Sequence, residues 1–357
     1  MKKRALVAMS GGVDSSVAAY LMMQQGYETV GVTMHLYDNA DIGVKREKTC
    51  CSLDDVEDAR SVADRLGIPF YVLNYTDDFR ERVIGRFVGE YCSGRTPNPC
   101  IDCNRYMKFD LLLRRAEELG FDCVVTGHYA AVEYDAARGR WLLKKAADES
   151  KDQSYVLCSL TQRQLAHVRF PLGGLTKREV REIAEAQGFV NAAKHDSQDI
   201  CFVPDGDYAR FIERWRGERA KLGDFVDRSG SFIAHHRGMI NYTVGQRRGI
   251  GVAADHPYYV VRKDAASNTV VLGTNDELFS THLEAEDINL ISVANLTAPM
   301  RVKARIRYRQ RETDATVTPL PGGNAAVDFD VPQRAVTPGQ TVVFYDGNIV
   351  VGGGTIK

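Results

Sequence analysis

The sequence of 357 residues lacks three features that would point to a membrane, to export or to a strongly charged partner. It contains no apolar run long enough to span a bilayer, so we expect no membrane segment. The apolar stretch after the basic residues 2–4 is short and leads directly into a glycine-rich turn, so we expect no signal peptide and a cytoplasmic location. The formal net charge is −1, so any nucleic acid must bind to local basic patches.

The pattern of predicted elements changes along the chain. Through the first half, strands and helices alternate, which predicts a parallel α/β sheet with helices on both faces. After about Pro204, short β-like runs separated by turn signals predict an antiparallel sheet or small barrel. We therefore predict a Rossmann-like α/β domain over residues 1–205, a small central domain over 206–278 and a C-terminal antiparallel β-barrel over 279–357.

Residues 10–16, S-G-G-V-D-S-S, form a glycine-rich turn between a predicted strand and a predicted helix, and we call them the phosphate loop. A turn at this place directs backbone N–H groups and the positive end of a helix dipole to one point, where a phosphate can bind. The loop contains no lysine, which distinguishes it from the G-x-x-x-x-G-K-[ST] loop. It resembles the PP-loop of ATP pyrophosphatases, which implies cleavage of ATP between the α and β phosphates. A tight turn without a ligand is the alternative.

Two cysteine-bearing segments stand out among eight cysteines. The first cysteine segment is residues 96–104, T-P-N-P-C-I-D-C-N, and the second is residues 196–202, D-S-Q-D-I-C-F. Without an export signal, cysteines are more often reactive thiols or ligands than disulfides. Proline and asparagine predict that the first segment is a rigid loop carrying exposed thiols of lowered pKa.

Three kinds of thiol chemistry are compatible with these segments. One is a structural zinc site, although the adjacent pair Cys50 and Cys51 lacks the usual ligand spacing. Another is a [4Fe-4S] cluster on Cys100, Cys103 and Cys201, with one open iron site that could bind sulfide. The third is a relay in which one cysteine carries a persulfide and another resolves it through a disulfide. The C-x-x-C spacing alone does not separate the last two.

Seven motifs occur in one order: S-G-G-V-D-S-S, T-P-N-P-x-x-x-C-N, T-G-H-Y, K-D-Q-S-Y, D-S-x-x-I-C-F, G-Q-R-R-G-I-G and R-Y-R-Q. Over residues 7–310 the chain resembles the tRNA-specific 2-thiouridylases, the MnmA family. The resemblance implies ATP-dependent 2-thiolation of the wobble uridine (U34) of tRNA, by adenylation of the C2 carbonyl oxygen and sulfur transfer from a cysteine persulfide. It implies ATP and Mg²⁺ as cofactors and a sulfur-donor protein, either a cysteine desulfurase or a relay protein, as partner. We expect a monomer.

The resemblance also assigns site residues. ATP binding is assigned to Ala8, Met9, Ser10, Gly11, Gly12, Val13, Asp14, Ser15, Met34 and Gly127. Contact with the target base is assigned to Asn98, Pro99 and Cys100, the nucleophile that forms a disulfide is Cys103, and the persulfide carrier is Cys201. Contact with tRNA is assigned to Lys151, Asp152, Gln153, Arg307 and Tyr308. Many family members have Asp where Cys100 stands, so an acid–base role at this position is in doubt here.

A row of alternating basic residues suggests an RNA surface independently of the family. The basic residues at every second position are Arg301, Lys303, Arg305, Arg307, Arg309 and Arg311. On a strand over residues 301–309 they would share one face, and no acid lies on that face of the strand. We predict contact with the RNA backbone, with a solvated outer face as the alternative.

Two other classes of function compete with tRNA thiolation. One is a PP-loop enzyme that activates a small carboxylate or carbonyl for amination, although the sequence shows no sign of an ammonia-supplying domain. The other is a non-catalytic RNA-binding module. Release of AMP that depends on tRNA distinguishes the three hypotheses, because the small-molecule enzyme needs no RNA and the binding module yields no AMP.

Overall fold

The computed structural model describes residues 2–43, 53–194 and 200–357, which form three β-sheets flanked by helices. The strands are β1 (Arg4–Ala8), β2 (Glu28–His35), β3 (Phe70–Asn74), β4 (Cys123–Val125), β5 (Ala131–Asp135), β6 (Arg140–Lys144), β7 (Val168–Arg169), β8 (Gly223–Val226), β9 (Phe232–His236), β10 (Tyr259–Asp264), β11 (Thr269–Gly273), β12 (Phe279–Leu290), β13 (Met300–Arg305), β14 (Thr313–Leu320), β15 (Asn324–Arg334), β16 (Thr341–Asp346) and β17 (Ile349–Ile356).

The α-helices are α1 (Val13–Gln24), α2 (Asn39–Ile42), α3 (Leu53–Leu66), α4 (Thr76–Phe79), α5 (Arg86–Cys92), α6 (Pro99–Asp102), α7 (Leu112–Glu118), α8 (Gln162–His167), α9 (Lys177–Ala186) and α10 (Tyr208–Arg216). Two π-helical segments, Arg80–Gly85 and Cys103–Leu111, join α4 to α5 and α6 to α7. No helix in the described ranges is long and apolar enough to cross a membrane.

The first sheet is parallel, with strand order β3-β2-β1-β4-β7. The strands β1, β2 and β4 are buried on both faces because helices cover both faces, whereas the edge strand β3 is partly exposed. In β1, Ala5 and Val7 pack into the hydrophobic cluster that contains α1 and α9, whereas Leu6 packs into the opposite cluster. This second cluster contains Phe79 and Phe87 of the helical segment between β3 and α6. The predicted Rossmann-like α/β architecture is confirmed.

The second sheet, and all but two strands of the third, lie after this domain in the sequence. The central sheet has strand order β10-β11-β8-β9, and β8 pairs with β11 in parallel, so the sheet is mixed rather than wholly antiparallel. The C-terminal strands run in the order β12-β15-β14-β13-β16-β17, and pairing of β12 with β17 closes them into a barrel. The predicted antiparallel barrel is confirmed. The domain boundaries themselves stay a prediction.

A hairpin of the first domain joins the barrel. The strands β5 and β6, which the sequence did not predict, pair with each other, and Lys144 of β6 pairs with Ile349 of β17. Nearby, the guanidinium of Arg305 donates to Asp152 Oδ2 at 3.0 Å, and both side chains are largely buried. The first domain and the barrel are therefore connected by a sheet contact and by a buried ion pair.

The central domain contacts the first domain through a partly buried lysine. The Nζ atom of Lys263 in β10 donates to the Tyr242 carbonyl at 3.0 Å and lies 5.7 Å from the centre of the Tyr91 ring in α5. Burial lowers the pKa of Lys263 to about 8. A charged lysine in this interface therefore costs stability at neutral pH.

We expect Lys263→Met to stabilise the protein at pH 7 and to lose this advantage as pH rises. The folded-state pKa is below the ordinary value of 10.5, so the unfolded chain binds more protons between about pH 8 and 10.5, and wild-type stability rises across that window. Urea unfolding below pH 8 should show a gain of up to about 3 kcal/mol. Lys221→Met, at an exposed lysine of the same domain, is the control. Parallel pH profiles for the two variants would contradict the prediction.

Candidate functional site

The phosphate loop lies at the carboxyl end of β1. Gly11 has φ +73°, and a Cβ atom there would lie 2.3 Å from the Asp55 carbonyl oxygen, so only glycine fits. Helix α1 then begins at Val13, and its first N–H groups have no preceding helical carbonyl. Ser15 Oγ accepts from the Ser10 N–H at 3.1 Å and donates to the Gly12 carbonyl at 2.9 Å. The loop is therefore held in shape by its own hydroxyl groups.

Two lysines lie against this loop. The Nζ atom of Lys177, in the first turn of α9, is 2.8 Å from both carboxylate oxygens of Asp14, and the Tyr129 hydroxyl donates to Asp14 at 2.7 Å. The Nζ atom of Lys194 donates to the Gly11 carbonyl at 3.2 Å and to Asp55 and Asp58, each at 2.6 Å. The loop that would receive the phosphates thus has cationic groups beside it.

Two other residues assigned to ATP lie at the same edge of the sheet. A Cβ atom on Gly127 would be 2.7 Å from Asp14 C and Ser15 N, so the chain after β4 packs directly on the phosphate loop. Met34, in β2, belongs to the same hydrophobic cluster that Ala8 borders. The carboxyl ends of β1, β2 and β4 therefore bring the residues assigned to ATP together, as expected for a parallel α/β sheet.

The first cysteine segment is partly helical, contrary to the predicted loop. Asn98 is the N-cap of α6, and its Oδ1 accepts from the Cys100 N–H at 3.2 Å. Pro99 occupies the first helical turn, where its missing N–H costs nothing. Cys100 is exposed in this helix, and Cys103 begins the π-helical segment. An Asn-Pro pair therefore starts a helix here rather than forming a turn.

The environment of Cys103 differs from the predicted exposed, acidic thiol. Cys103 is partly buried, and burial raises the pKa of its thiol, although Lys108 acts in the opposite direction. Burial also raises the pKa of the neighbouring Asp102 carboxyl to about 6, against the lowering effect of Arg86. Cys103 is therefore protonated at neutral pH in this conformation.

Cys201 lies on the same side of the sheet as Cys103. Both thiols are partly buried and border the hydrophobic cluster that contains Phe202 and that Ala8 also borders. The Tyr37 hydroxyl donates to the Cys201 carbonyl at 3.0 Å. The structure thus brings the two cysteines to one side of the sheet, the side that also carries the end of β1.

The described residues give no support to the two metal sites considered above, a zinc site and a [4Fe-4S] cluster. In residues 2–43, 53–194 and 200–357, no three His, Cys, Asp or Glu side chains form a group that could hold a metal ion. Cys100, Cys103 and Cys201 therefore do not fit a [4Fe-4S] cluster as they stand. The pair Cys50 and Cys51 and residues 196–199 of the second cysteine segment lie outside the described residues. So does Ser52, which the sequence predicts to cap a helix over residues 53–66.

A pocket of about 270 Å³ lies between the two cysteine segments, and we call it the cysteine pocket. Its lining residues are Tyr91, Thr96, Pro97, Asn98, Pro99, Ile200, Tyr208, Thr243 and Gln340. They include two residues assigned to the target base, the neighbour of Cys201, and one residue each from the central sheet region and the barrel. All three parts of the chain therefore contribute to this cavity.

The barrel holds the start of the first cysteine segment through a turn at residues 338–340. The Thr96 N–H donates to the Pro338 carbonyl at 2.8 Å, and Gln340 Nε2 donates to the carbonyls of Thr96 at 2.7 Å and Pro97 at 3.4 Å. Gly339 has φ +88°, and a Cβ atom there would lie 2.8 Å from Thr96 N. The two backbones are therefore in direct contact.

The barrel also holds the chain just after Cys103. Arg105 makes a bidentate ion pair with Asp287, one bond of which is 3.2 Å long. Asp287 lies at an irregularity of β12 and has φ +52°, an uncommon conformation for a residue other than glycine. The irregular strand thus presents a carboxylate to the helix that carries Cys103.

The residues assigned to tRNA differ in accessibility. Asp152 is only 9% exposed, and its carboxylate accepts from the N–H groups of Ala146 and Ser154 as well as from Arg305. The guanidinium of Arg307 donates to the Ala335 carbonyl and Thr337 Oγ1, each at 3.0 Å. Asp152 and Arg307 therefore have internal roles.

The other three residues of that set are more varied. Gln153 Oε1 accepts from the Tyr129 N–H at 2.9 Å, Lys151 is partly exposed, and Tyr308 is 38% exposed. Tyr308 is thus the most exposed of the five residues, and Asp152 is the one that is buried. The tRNA contacts of all five residues stay a prediction.

The predicted row of cations is wrong. Strand β13 ends at Arg305, and the alternation of exposed basic and buried apolar residues holds only within it. Arg301 makes a bidentate ion pair with Asp330 at 2.8 and 2.7 Å, and Lys303 pairs with Asp314 at 3.1 Å. The acids come from β15 and β14. This face of the sheet therefore carries both positive and negative side chains, although β13 itself contributes only positive ones.

Family models match the chain in three consecutive parts. The tRNA methyl transferase HUP domain matches residues 3–205, the tRNA methyl transferase PRC-barrel domain matches 209–274, and the aminomethyltransferase beta-barrel domain matches 280–356. The first match alone covers more than half of the chain.

Curated relatives match the whole chain. The tRNA-specific 2-thiouridylase MnmA of Acetivibrio thermocellus is 54% identical over 100% of this chain and 99% of the relative. The MnmA of Clostridioides difficile is 49% identical over 100% of this chain and 99% of the relative. This chain belongs to the tRNA-specific 2-thiouridylase family. A solved complex of a 4-thiouridine synthetase with RNA and ATP is 24% identical, covers 57% of this chain and 45% of that chain, and has a TM-score of 0.38.

Several residues that contact the site lie outside the seven family motifs or carry no signal of their own. Lys177 lies inside the sequence T-K-R-E of residues 176–179, a capping box that by itself indicates only the start of a helix, and Lys194 lies outside every motif. Gln340 and Asp287 lie after the central region, far from the cysteines in sequence. No local signal marks them, because their contacts with the phosphate loop and the first cysteine segment exist only in the folded chain.

We expect Lys177→Met to weaken ATP binding by tenfold or more. Lys177 is the cation next to Asp14, and its removal leaves an unpaired carboxylate in the loop that receives phosphates; charge-assisted hydrogen bonds are worth about 1.5–3 kcal/mol. Arg178→Met changes the next residue of the same helix, whose side chain is 83% exposed, and serves as the control. Isothermal titration with ATP measures both. Equal affinities for the two variants would contradict the role of Lys177.

We expect Asp287→Asn to loosen the helix that carries Cys103 and to speed alkylation of its thiol. Loss of a partly exposed ion pair of about 1 kcal/mol corresponds to roughly a three- to fivefold faster reaction with iodoacetamide, followed by peptide mass spectrometry. Asp330→Asn removes the other bidentate Arg–Asp pair of the barrel, that with Arg301, and should leave the rate unchanged. An equal effect of both changes would mean that the barrel is destabilised in general.

Proposed function

We propose that this chain catalyses ATP-dependent 2-thiolation of the wobble uridine of tRNA, giving 2-thiouridine, AMP and diphosphate. Full-length membership of the 2-thiouridylase family supports the activity. The structural observation that carries it is the placement of Cys103 and Cys201 on the side of the sheet where β1 delivers the chain to the phosphate loop. Nucleotide activation and sulfur transfer can then act on one base.

The first step activates the base. ATP binds with its phosphates against the N–H groups at the start of α1, the hydroxyls of the phosphate loop and the ammonium of Lys177. The C2 carbonyl oxygen of the uridine attacks the α-phosphorus, diphosphate leaves, and the N3 proton is lost. The oxygen becomes part of AMP, which is a far better leaving group than oxide.

Magnesium fits the loop as the usual companion of ATP. Mg²⁺ typically binds one or two carboxylates together with substrate phosphates, and Asp14 is the carboxylate of the phosphate loop. Asp14 would hold the ion, which supplies neutralisation of charge on the phosphates. Lys177, which is paired with both oxygens of Asp14 in this structure, would then be available to the phosphates.

The second step transfers sulfur. The terminal sulfur of a persulfide on Cys201 attacks C2, the C2–O bond breaks, and AMP leaves. The Cys103 thiolate attacks Cys201 Sγ and breaks the S–S bond, which leaves 2-thiouridine and a Cys103–Cys201 disulfide. An external thiol reductant returns both cysteines to the free state that the structure records. The Cys103 thiol has a raised pKa, so its proton must be lost within the assembled complex.

The reaction requires two macromolecular partners. The tRNA must present a splayed-out wobble base, since a stacked base in the anticodon loop does not reach a recessed pocket. The persulfide must be supplied by a sulfur-donor protein, which we expect to be a cysteine desulfurase or a relay protein. We place the reaction in the cytoplasm, with the enzyme as a monomer.

We expect Cys201→Ser and Cys103→Ser each to abolish 2-thiouridine while tRNA-dependent release of diphosphate continues in single turnover, because adenylation of the base precedes sulfur transfer. Cys92→Ser is the matched control, because Cys92 is also partly buried and borders the same hydrophobic cluster, but it contacts Arg216 and belongs to neither cysteine segment. Digestion of the tRNA and mass spectrometry of its nucleosides measure the product. Normal 2-thiouridine from Cys201→Ser would contradict the persulfide assignment. With the wild-type protein, AMP release without tRNA would favour the small-molecule enzyme, and no AMP release at all would favour the binding module.

A further inference from the structure

Two side chains from residues 189–194 contact the backbone of the phosphate loop. Asn191, which is 2% exposed, donates from Nδ2 to the Gly11 carbonyl at 3.0 Å and to Ser16 Oγ at 2.9 Å. The Nζ atom of Lys194 donates to the same Gly11 carbonyl at 3.2 Å. The oxygen of the Gly11 carbonyl therefore points toward residues 189–194.

The orientation of the Asn191 amide is fixed by its partners. A carbonyl oxygen can only accept, so the nitrogen end of the amide must face Gly11. Ser16 Oγ accepts from the same nitrogen and donates its own proton to the Gly12 carbonyl at 3.2 Å. Oδ1 of Asn191 is buried and has no hydrogen-bond partner among the described residues. Because a buried oxygen without a partner is unfavourable, stability alone does not explain an asparagine here.

The carbonyl that Asn191 holds determines the direction of the next N–H group. The peptide between Gly11 and Gly12 is trans, so its C=O and N–H point in opposite directions. The Gly12 N–H therefore points away from residues 189–194. It has no backbone acceptor in the described part of the chain, and Gly12 is the N-cap of α1. This N–H is thus a donor at the end of the helix where a phosphate would bind.

The two glycines make this peptide easy to turn over. Rotation of a peptide plane changes ψ of the residue before it and φ of the residue after it, and glycine populates both signs of φ readily. Gly11 has φ +73°, and Gly12 has φ −90°. A peptide that turned over would direct its carbonyl oxygen, in place of the N–H, toward an incoming phosphate. Affinity for phosphates therefore depends on which orientation is held.

Lys194 is less suited than Asn191 to holding the peptide. Its Nζ atom also donates to Asp55 and Asp58, each at 2.6 Å, so the bond to Gly11 is the longest of the three. A phosphate attracts an ammonium group away from a carbonyl, since an anion is the stronger partner. The neutral amide of Asn191 has no such attraction and keeps its bond when phosphates arrive.

We propose that Asn191 is a positioning residue for ATP, which holds the Gly11–Gly12 peptide with its N–H directed to the phosphates. This inference rests on the nucleotide binding of the proposed function and not on its sulfur-transfer step. A purely structural role makes a different prediction, because general loosening of the site weakens the binding of the adenosine part and of the phosphates alike. Loss of a correctly directed N–H weakens only the binding of the phosphates.

The experiment compares the affinities of the full-length enzyme for ATP and for adenosine in the presence of Mg²⁺. Isothermal titration measures ATP, and competition against ATP measures adenosine. Because both ligands contain the same base and sugar, the ratio of the affinities reports the contribution of the triphosphate. We expect Asn191→Leu to lower this ratio about three- to tenfold, which corresponds to one neutral hydrogen bond, and to leave adenosine binding unchanged.

The variant is expected to remain folded. Leucine has nearly the shape of asparagine, it removes the unpaired Oδ1, and Lys194 still donates to the Gly11 carbonyl. Asn191→Ala removes the same amide without a branched side chain and should change the ratio in the same direction. Thermal unfolding of both variants shows that the protein measured is folded.

Asn289→Leu is the matched control. Asn289 also uses Nδ2 to join two acceptors, the carbonyls of Cys158 at 2.8 Å and Leu160 at 2.9 Å, but it lies in β12 and away from the phosphate loop. Its substitution should leave the ratio unchanged. An unchanged ratio in the folded Asn191 variants, or equal weakening of both ligands, overturns the proposal. Failure of the proposed function shows separately, as absence of 2-thiouridine when the wild-type enzyme receives ATP, tRNA and a persulfide source.

Discussion

The candidate site depends on backbone hydrogen bonds that the first cysteine segment makes with another part of the chain. Pro97 and Pro99 have no N–H, so this stretch cannot join a sheet or satisfy its own carbonyls through a regular ladder. Buried peptide groups without partners are costly. The turn at residues 338–340 of the barrel supplies the missing partners for Thr96 and Pro97. The position of the cysteines is thereby tied to a domain that lies more than two hundred residues later in the sequence.

Charge is arranged around the phosphate loop before any ligand arrives. Asp14 and Lys177 neutralise each other, and Lys194 is held by Asp55 and Asp58, whose hydrogen bonds and charge outweigh the effect of burial and raise the pKa of its ammonium group. These pairs keep cations beside the loop without leaving a charge uncompensated in a partly buried place. Phosphates that enter can exchange for carboxylates as partners of the lysines. Little reorganisation is then required at the time of reaction.

The local parts of the site could be predicted from the sequence, and the long-range parts could not. The strand, phosphate loop and helix at residues 4–24 follow from glycine, serine and a run of apolar residues, all within a few positions of one another. Helix α9 follows from its capping box. The ion pairs of Arg301 and Lys303 depend on which strands neighbour β13, and that pairing is set by the closure of the barrel. The buried position of Asp152 likewise depends on its ion pair with Arg305, which lies 153 residues later in the sequence.

The chemistry of Cys103 also depends on long-range packing and cannot be predicted from its local sequence motif. A C-x-x-C motif near prolines suggested exposed and acidic thiols, but the helix start at Pro99 turns Cys103 toward the hydrophobic cluster that Cys201 also borders. Burial then raises the pKa of the Cys103 thiol, which protects it from oxidation and alkylation in the free protein, since the thiolate is the reactive form. Attack on a persulfide needs the thiolate, so the proposed mechanism requires Cys103 to ionise in the complex with its substrates. The barrel contacts both sides of Cys103, through Thr96 and Arg105, and any shift of the barrel on binding RNA must move or break those bonds. A shift of the barrel against the first domain would therefore change the surroundings of Cys103, and with them the burial that raises the pKa of its thiol.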